Sequence, residues 1–319
     1  MPRVLCRRPV DFMLILSDTI CRSFTPVRRA MPPIRFHSRR VLGHTSYRQG
    51  GRKTMERTRP TGILCHRKDR ASPVIALAIH AGHGMREELR PYSAPPESIR
   101  LYEEDPFTDR LLEPFPIAVT TEVSRFEVDL NRPEETCVYL NAGMCWGIVP
   151  WREPLPSDML ERSRARHREA MAFLDALVDE TVERFGRAVV LDLHSYNYQR
   201  DRMVPAWWED LSKPCINLGT LNAHERFRPL LDMMLEEFGK VRFDDRFLTV
   251  GENVVFKGGY VHQRLQARHP DKVVCPSIEL KKIFMDEQTG KLHEPAFTTF
   301  AKDVTVAIIQ ALERADCAP

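Results

Sequence analysis

The fold of this chain is decided by the stretch Val189-Val190-Leu191-Asp192-Leu193-His194-Ser195, in which four apolar residues surround one aspartate. The stretch follows a long helical pattern, and a short apolar run in that place is typical of a buried strand in an α/β sheet. Side chains alternate along a strand, so we expect Asp192 and His194 on the same face. Ligands of open α/β sheets gather at the carboxyl ends of the strands, where His194 lies. The stretch therefore predicts either a structural His–Asp pair or a functional site at this edge.

A second apolar run, residues 74–79, also ends in a histidine, His80, and the small-residue turn Ala81-Gly82-His83-Gly84 follows it. Further strands are predicted over residues 117–123, 215–219 and 273–280, and helices over residues 157–185, 223–238 and 295–314. We expect Ser157 to cap the long helix and Gly186 to end it. The alternation of strands and helices indicates an α/β fold with a mostly parallel mixed sheet flanked by helices, beginning at Val74.

The charge of the chain is unevenly distributed. The first 70 residues hold 17 lysines and arginines but only 4 aspartates and glutamates, whereas the rest of the chain holds 30 and 40. The net charge of +3 therefore conceals an acidic globular part, which argues against nucleic acid as a partner. No apolar run reaches the length of a transmembrane helix, so we expect no membrane partner. The eight cysteines are scattered without a Cys-x-x-Cys pair, which is typical of a reducing compartment such as the cytoplasm.

Residues 1–54 form a basic leader with several prolines and one brief apolar run, residues 12–16. Three interpretations compete: a disordered tail, an Arg-rich organellar presequence, or sequence upstream of a true start at Met55. We expect the leader to be dispensable and residues 55–319 to form a single catalytic domain.

Two histidines at strand ends, His80 and His194, would together with a carboxylate make a zinc site of the catalytic type, with an open position for water. Glu279 lies on the last predicted strand, where a carboxylate could exchange a proton with that water. Arg125 and Arg132 lie in one polar loop and suit bidentate binding of a substrate carboxylate.

Each of these side chains also has a structural interpretation. Asp105 could cap a helix, and His83 could be solvated in its turn. Both arginines could be surface charges. Glu279 could form an ion pair with Lys281, which alternates with it onto the same strand face.

The order of the motifs resembles the N-formylglutamate amidohydrolase family. They are Ile79-His80-Ala81-Gly82, then Asp105, then Ser124-Arg125-Phe126-Glu127-Val128-Asp129-Leu130-Asn131-Arg132, then Leu191-Asp192-Leu193-His194-Ser195, then Phe256-Lys257-Gly258-Gly259-Tyr260, then Ser277-Ile278-Glu279-Leu280. The similarity extends from about residue 74 to residue 280. That family resembles the zinc carboxypeptidases in fold, so the resemblance implies a zinc-exopeptidase (carboxypeptidase)-like architecture.

The resemblance also implies roles for individual residues. His80 and His194 would be metal ligands, and Glu279 would be the general base and acid. Substrate binding would fall to Arg125, Asn131, Arg132 and Tyr260.

The third metal ligand is less clearly implied. Zinc carboxypeptidases have a glutamate three residues after the first histidine, and His83 stands at that position here. Asp105 matches an acidic position of the amidohydrolase family and is preferred, while His83, Glu87 and Glu88 stay open as alternatives.

These expectations describe a zinc-dependent amidohydrolase with one Zn²⁺ per chain and a small-molecule partner, an N-acylated acidic amino acid. The best guess for the reaction is hydrolysis of N-formyl-L-glutamate to glutamate and formate. One alternative is a metallocarboxypeptidase or poly-γ-glutamyl hydrolase. An alternative of another class is a catalytically silent protein that binds metal or carboxylate. The sequence gives no expectation for the oligomeric state.

A first prediction concerns the leader. A shortened chain that begins at Met55 should fold cooperatively and retain activity, because residues 1–54 show no helical or strand pattern that would pack on the core. Solubility, thermal unfolding and activity of the shortened and full chains provide the test. Loss of cooperative folding in the shortened chain would show that the leader belongs to the core.

Overall fold

The computed structural model describes residues 54–57, 62–67, 72–200, 206–210 and 212–317. The expectation for the leader falls on residues 1–54 and therefore lies, apart from Thr54, outside the described residues. The strands are β1 (Thr54–Arg57), β2 (Ile63–Arg67), β3 (Val74–Ala78), β4 (Ile117–Thr121), β5 (Ala188–Tyr196), β6 (Ile216–Gly219), β7 (Arg242–Phe243), β8 (Arg246–Phe247), β9 (Val250–Glu252), β10 (Val273–Val274) and β11 (Ser277–Lys281). The α-helices are α1 (Glu97–Glu103), α2 (Ser157–Phe185), α3 (Arg228–Phe238), α4 (Tyr260–Arg268) and α5 (Glu294–Cys317).

One mixed sheet forms the centre of the fold, with the strand order β1-β2-β4-β3-β5-β11-β6-β9. The inner strands β4, β3, β5 and β11 are parallel to one another. β2 pairs antiparallel to β4 on one side, and β6 pairs antiparallel to β11 on the other. β10 pairs parallel to β5 ahead of β11, while β7 and β8 form a separate small hairpin. The expected α/β class with a mostly parallel mixed sheet is confirmed.

Strand β5 lies between β3 and β11, and all nine of its residues are buried. This burial explains its near-continuous apolar sequence, because both faces of a central parallel strand are covered. The register places Leu77 of β3 opposite Asp192, and Glu279 of β11 opposite His194. His80 follows the end of β3 by two residues. The carboxyl ends of three parallel strands therefore deliver His80, His194 and Glu279 to the same edge of the sheet.

Helix α2 covers part of this core. Its buried residues Met171, Leu174, Leu177 and Val178 belong to the same cluster as Ile75 and Val190 of the central strands. Gly186 ends the helix as predicted, with a left-handed φ of 72° and its N–H donating to the Val182 carbonyl oxygen. The prediction that Ser157 is the cap is wrong. Pro156, with an extended ψ of 143°, occupies the cap position, and no side chain provides a capping hydrogen bond.

The sheet begins before Val74, contrary to expectation. β1 and β2 form an antiparallel hairpin that joins the sheet through β4. Ile63 and Cys65 of β2 are buried, while its neighbouring residues are partly exposed. The alternation of buried and partly exposed residues covers only five residues and ends in His66 and Arg67. A basic stretch of sequence surrounds it, so it does not produce a clear strand pattern.

The strand expected over residues 273–280 is interrupted and forms β10 and β11. Cys275 and Pro276 lie between them, and proline has no amide hydrogen to donate to the strand ladder. Both pieces still pair parallel with β5, which keeps Glu279 in place.

The helical parts also differ in detail from expectation. The helix expected over residues 223–238 begins at Arg228, after a 3-10 turn, Glu225–Phe227, that the His224 side chain caps. The short helix α1, strand β9 and the β7–β8 hairpin are too short to produce a clear periodicity, and the sequence does not predict them. None of the helices in the described part of the chain combines the length and apolar character that crossing a membrane requires.

The turn after His80 runs closely along the end of β4. The Gly84 N–H donates to the Glu122 carbonyl oxygen at 2.8 Å. A Cβ atom on Gly82 would lie 2.5 Å from the Val123 carbonyl oxygen, with further backbone atoms almost as close. Only glycine fits this contact without a shift of the backbone, so the turn depends on a residue without a side chain.

We predict that Gly82→Ala lowers the free energy of unfolding by about 1–3 kcal/mol, because the added methyl group overpacks against backbone atoms. Gly143→Ala is the matched control, since its Cβ would approach only the Asn141 side-chain oxygen, at 3.2 Å. Urea unfolding should show a change of less than about 0.5 kcal/mol for the control. Equal effects of the two substitutions would show that the close contact at Gly82 is not a constraint.

Candidate metal centre and active site

His80, Asp105 and His194 meet at the carboxyl edge of the sheet. His80 follows β3, His194 belongs to β5, and Asp105 lies in the loop that follows α1. The Asp105 backbone N–H donates to the His80 carbonyl oxygen at 3.0 Å, which attaches this loop to the end of β3. The three residues are only 2–3% exposed.

The side-chain atoms of these residues converge. Asp105 Oδ2 lies 2.8 Å from His194 Nδ1 and 3.5 Å from His80 Nδ1. Each of the three residues offers one potential ligand atom, and these three atoms all lie within 4.8 Å of one another. A tetrahedral zinc ion with bonds of 2.0–2.1 Å would hold its ligand atoms about 3.3 Å apart, which is close to the distances between Asp105 Oδ2 and the two histidine nitrogens.

A second carboxylate stands behind each histidine. His80 Nε2 lies 2.7 Å from Asp129 Oδ1, and His194 Nε2 lies 3.0 Å from Asp192 Oδ1. With the ring proton on Nε2, toward Asp129 or Asp192, each Nδ1 would present its lone pair toward Asp105 and could bind a metal ion. Metal-binding histidines in proteins are commonly oriented by carboxylates in this way.

In that tautomer the cluster consists of hydrogen-bond acceptors that face one another. Buried acceptors without a donor are costly, so the Nδ1 atoms and the Asp105 carboxylate need protons or a cation between them. Two imidazole nitrogens and one carboxylate oxygen form a ligand set that zinc accepts in catalytic sites. The residues present fit a metal ion of that kind.

The pKa values show how strongly the cluster attracts positive charge. Burial alone would raise the pKa of Asp105, but hydrogen bonds and charge from His194 and His80 lower it instead. Burial alone would lower the pKa of His194, yet the charges of Asp192 and Glu279 and the hydrogen bond to Asp105 raise it well above its usual value. Both shifts favour positive charge between Asp105 and His194.

Glu279 lies directly beside the cluster. It is opposite His194 in the register of β11 with β5, and the Ser277 hydroxyl donates to its Oε1 at 2.9 Å. Burial raises the pKa of Glu279 to about 7, with the charge of Asp105 adding to the effect and that of His194 opposing it. The ion pair considered with Lys281 is absent among the described residues, because the Lys281 Nζ atom lies 3.3 Å from Asp210 Oδ2 instead.

The structure does not bring the alternative third ligands into the cluster. His83 Nδ1 lies 2.5 Å from Glu104 Oε2 and its side chain is 39% exposed. Glu87 is exposed, and Glu88 forms an ion pair with Arg162 on the surface. Among the preferred and alternative residues, Asp105 is the one whose carboxylate faces both histidines.

Asp129 connects the cluster to Arg125 and is the main residue that the sequence analysis does not single out. Its carboxylate accepts hydrogen bonds from His80 Nε2, from the Tyr139 hydroxyl and from Arg125 Nη2, the last at 2.9 Å. Burial would raise the pKa of Asp129, but the charges of Arg125 and His80 hold it well below its usual value. Its place in the motif Asp129-Leu130-Asn131-Arg132 is the sequence signal that could have identified it.

The expected substrate-binding residues separate into two groups. Arg125 and Asn131 line the cavity at the cluster. Arg132 and Tyr260 are not among its lining residues. The Arg132 guanidinium packs over the Tyr139 ring and its Nε lies 3.3 Å from Asp129 Oδ2.

Tyr260 is directed away by a different contact. Its hydroxyl accepts a hydrogen bond from Arg264 Nη1 at 3.0 Å, and its ring lies 6.0 Å from that of His167. The structure therefore places Tyr260 against α2 and α4 rather than in the cavity.

The cavity has a volume of about 430 Å³ and opens above the cluster. Its lining includes His80, Asp105, His194, Glu279, Arg125, Asn131 and Lys282, together with Glu103, Trp146, Arg200, Lys213 and Lys257. A site with three potential metal ligands, an adjacent carboxylate with a pKa near neutrality and several cations is chemically suited to hydrolysis of an anionic substrate.

Lys282 is a further lining residue that the sequence analysis mentions only as a neighbour of Glu279. It is 1% exposed, and its Nζ donates to the carbonyl oxygens of Tyr102 and Glu104, each at 2.7 Å. Burial lowers the pKa of Lys282 to about 8.

Comparison with known families gives a match. The family model described as N-formylglutamate amidohydrolase matches residues 72–284. The matched range contains every residue of the cluster and of the cavity named above. No curated protein matches the sequence.

Solved structures give matches to the fold. The crystal structure of N-formylglutamate amidohydrolase from Ralstonia eutropha JMP134 aligns with a TM-score of 0.64 at 18% identity, over 80% of this chain and 98% of its own. A gene product of Agrobacterium tumefaciens aligns with a TM-score of 0.55 at 19% identity, over 76% of this chain and 91% of its own. A metallo-carboxypeptidase from Burkholderia cenocepacia overlaps with a TM-score of 0.35 at 14% identity, over 81% of this chain and 61% of its own.

A prediction separates Asp105 from His83 as the third ligand. His194→Ala and Asp105→Ala should each lose stoichiometric zinc, because either substitution removes one of the converging atoms. His83→Ala should keep it, since His83 contacts Glu104 instead. Metal content after dialysis against a weak chelator is the measurement, with circular dichroism to verify folding. Full zinc in Asp105→Ala together with loss in His83→Ala would reverse the assignment.

Proposed function

Because the chain belongs to the N-formylglutamate amidohydrolase family, we propose that it hydrolyses the amide bond of an N-acylated acidic amino acid with one zinc ion held by His80, Asp105 and His194. N-formyl-L-glutamate, giving glutamate and formate, is the preferred substrate in this proposal. Family membership by itself makes the chain an amidohydrolase, and the metal and the substrate are the proposed parts.

The observation that carries the proposal is the cluster of two histidines and one aspartate with Glu279 beside it in a single cavity. A zinc ion bound there would polarise the amide carbonyl and lower the pKa of the attacking water to about 7. Asp129 is hydrogen-bonded to His80 Nε2, and Asp192 Oδ1 lies 3.0 Å from His194 Nε2, so each histidine has a carboxylate beside it that could orient the ring.

Glu279 is proposed as the group that moves the proton. Its carboxylate would take a proton from water as the water oxygen adds to the amide carbon, and would return that proton to the amide nitrogen as the carbon–nitrogen bond breaks, which yields the acid and the free amine. A general base works best when its pKa lies near the working pH, and burial brings that of Glu279 to about 7.

Arg125 is proposed to bind a carboxylate of the substrate. Its guanidinium has five N–H groups, of which three donate to Tyr139, to the Glu103 carbonyl oxygen and to Asp129. The remaining two N–H groups could form the paired hydrogen bonds that carboxylates accept.

The test of the proton-transfer role is Glu279→Gln, which keeps the shape of the side chain but removes the base. Turnover of N-formyl-L-glutamate should fall by about 10²- to 10⁴-fold. Zinc content and melting temperature should stay close to those of the parent. Glu237→Gln is the matched control, because Glu237 is also a buried glutamate but pairs with Lys240 and Arg314 away from the cavity.

A stable, zinc-loaded and fully active Glu279→Gln protein would overturn the proposed role. The substrate part of the proposal is tested on the parent protein with free N-acyl amino acids and with peptides that end in glutamate. Hydrolysis of the peptides alone would contradict the proposed substrate class.

A further inference from the structure

Two adjacent lysines at the end of β11 are buried in different ways. Lys281 and Lys282 are 0% and 1% exposed. Lys281 has a carboxylate partner, since its Nζ lies 3.3 Å from Asp210 Oδ2. Lys282 donates to two backbone carbonyl oxygens, and in the described part of the chain it forms no ion pair with any carboxylate. Because lysine is almost never fully buried unless it is paired, Lys282 requires an explanation that Lys281 does not.

The ammonium group of Lys282 retains unused binding capacity. An ammonium has three N–H donors, and the carbonyl oxygens of Tyr102 and Glu104 accept two of them. Lys282 also lines the cavity that holds Asp105 and Glu279. A buried positive charge with one donor left, at the wall of a cavity, is suited to an anionic ligand.

The segment from Tyr102 to Glu104 holds a second cation in the same manner. Arg125 Nη1 donates to the Glu103 carbonyl oxygen, at 3.3 Å. Three consecutive carbonyl groups thus hold two cations, and both cations line the same cavity. Asp129 balances the charge of Arg125, whereas no carboxylate of the described residues forms an ion pair with Lys282.

Three carboxylates whose charges act on Lys282, those of Asp105, Glu287 and Glu103, are engaged with other groups. Glu103 forms a bidentate ion pair with Arg200. Glu287 accepts hydrogen bonds from two backbone N–H groups, at 2.8 and 3.3 Å. Asp105 faces the two histidines. The negative charges of these three carboxylates favour the charged form of Lys282, but none of them accepts a hydrogen bond from its Nζ.

We infer that Lys282 binds the second carboxylate of a dicarboxylic substrate, while Arg125 binds the first. The inference rests on the proposed function and adds a specificity-determining residue to it. It assigns the preference for an acidic side chain to Lys282 and not to Arg132, which lies outside the cavity lining.

The test compares one acidic and one neutral substrate of nearly equal shape, N-formyl-L-glutamate and N-formyl-L-glutamine. Lys282→Gln keeps an amide donor for the backbone carbonyl groups but removes the charge. The ratio of kcat/KM for the acidic over the neutral substrate should fall about 10- to 100-fold, which is the size of one charge-assisted hydrogen bond. Lys281→Gln is the matched control. It should cost stability by leaving Asp210 unpaired but should leave the ratio unchanged.

An equal loss on both substrates in Lys282→Gln would overturn the inference, because Lys282 would then act only by holding the loop of Asp105. A parent protein that hydrolyses both substrates without preference would also overturn it, while leaving the amidohydrolase function intact. If the parent hydrolyses neither substrate, the proposed zinc-dependent reaction fails separately. Calorimetric binding of glutarate and butyrate to the zinc-loaded protein then provides the test, with weaker glutarate binding expected for Lys282→Gln.

A crystal structure of the zinc-loaded parent with glutarate keeps the inference testable even if Lys282→Gln does not fold. A carboxylate oxygen within hydrogen-bond distance of Lys282 Nζ would support it. Glutarate bound through Arg125 and other groups, without Lys282, would contradict it.

Discussion

The structure depends on a set of buried acceptor atoms that face one another. Asp105 lies between two histidines, and each histidine has a further carboxylate behind it, Asp129 or Asp192. Such an arrangement is unfavourable unless positive charge is supplied, either by protons or by a cation. Two cations that line the cavity are engaged with other groups, Arg125 with Asp129 and Lys282 with the carbonyl oxygens of Tyr102 and Glu104. The fold therefore maintains a place for positive charge at the carboxyl edge of its sheet, and a metal ion would meet that requirement.

The geometry of the centre follows from strand register. β3, β5 and β11 are parallel neighbours, so their carboxyl ends meet at one edge and their side chains are spaced by the sheet itself. Glu279 lies opposite His194 because β11 pairs with β5 in one fixed register, and a shift by one residue would turn Glu279 to the other face. The interruption at Pro276 leaves this register intact, because both β10 and β11 pair with β5. Rigid central strands thus determine the distance between the proposed base and the proposed ligands.

Much of this centre can be predicted from the sequence because its signals are local. Apolar runs that end in histidine predict β3 and β5, and period-two alternation predicts that Asp192 and His194 share a face. The contacts that the sequence does not reveal are those between distant segments. Asp129 acquires its role from His80, Arg125 and Tyr139, and Lys282 acquires its own from carbonyl groups far away along the chain. Tyr260 and Arg132 both belong to motifs that the sequence analysis assigns to the site, yet neither lines the cavity. Membership of a motif does not determine where a side chain points.

The hydrogen bond from the Asp105 N–H to the His80 carbonyl oxygen has a consequence for how this part of the chain can vary. It joins the two ends of the segment of residues 81–104, which leaves the sheet after β3 and returns at Asp105. The entropic cost of closing a flexible loop grows only slowly with length, by about 0.6 kcal/mol for each doubling. Insertions at the exposed start of α1, residues 96–99, would therefore leave the two ends joined. The same joined ends could carry segments of different lengths without disturbing the centre beneath them.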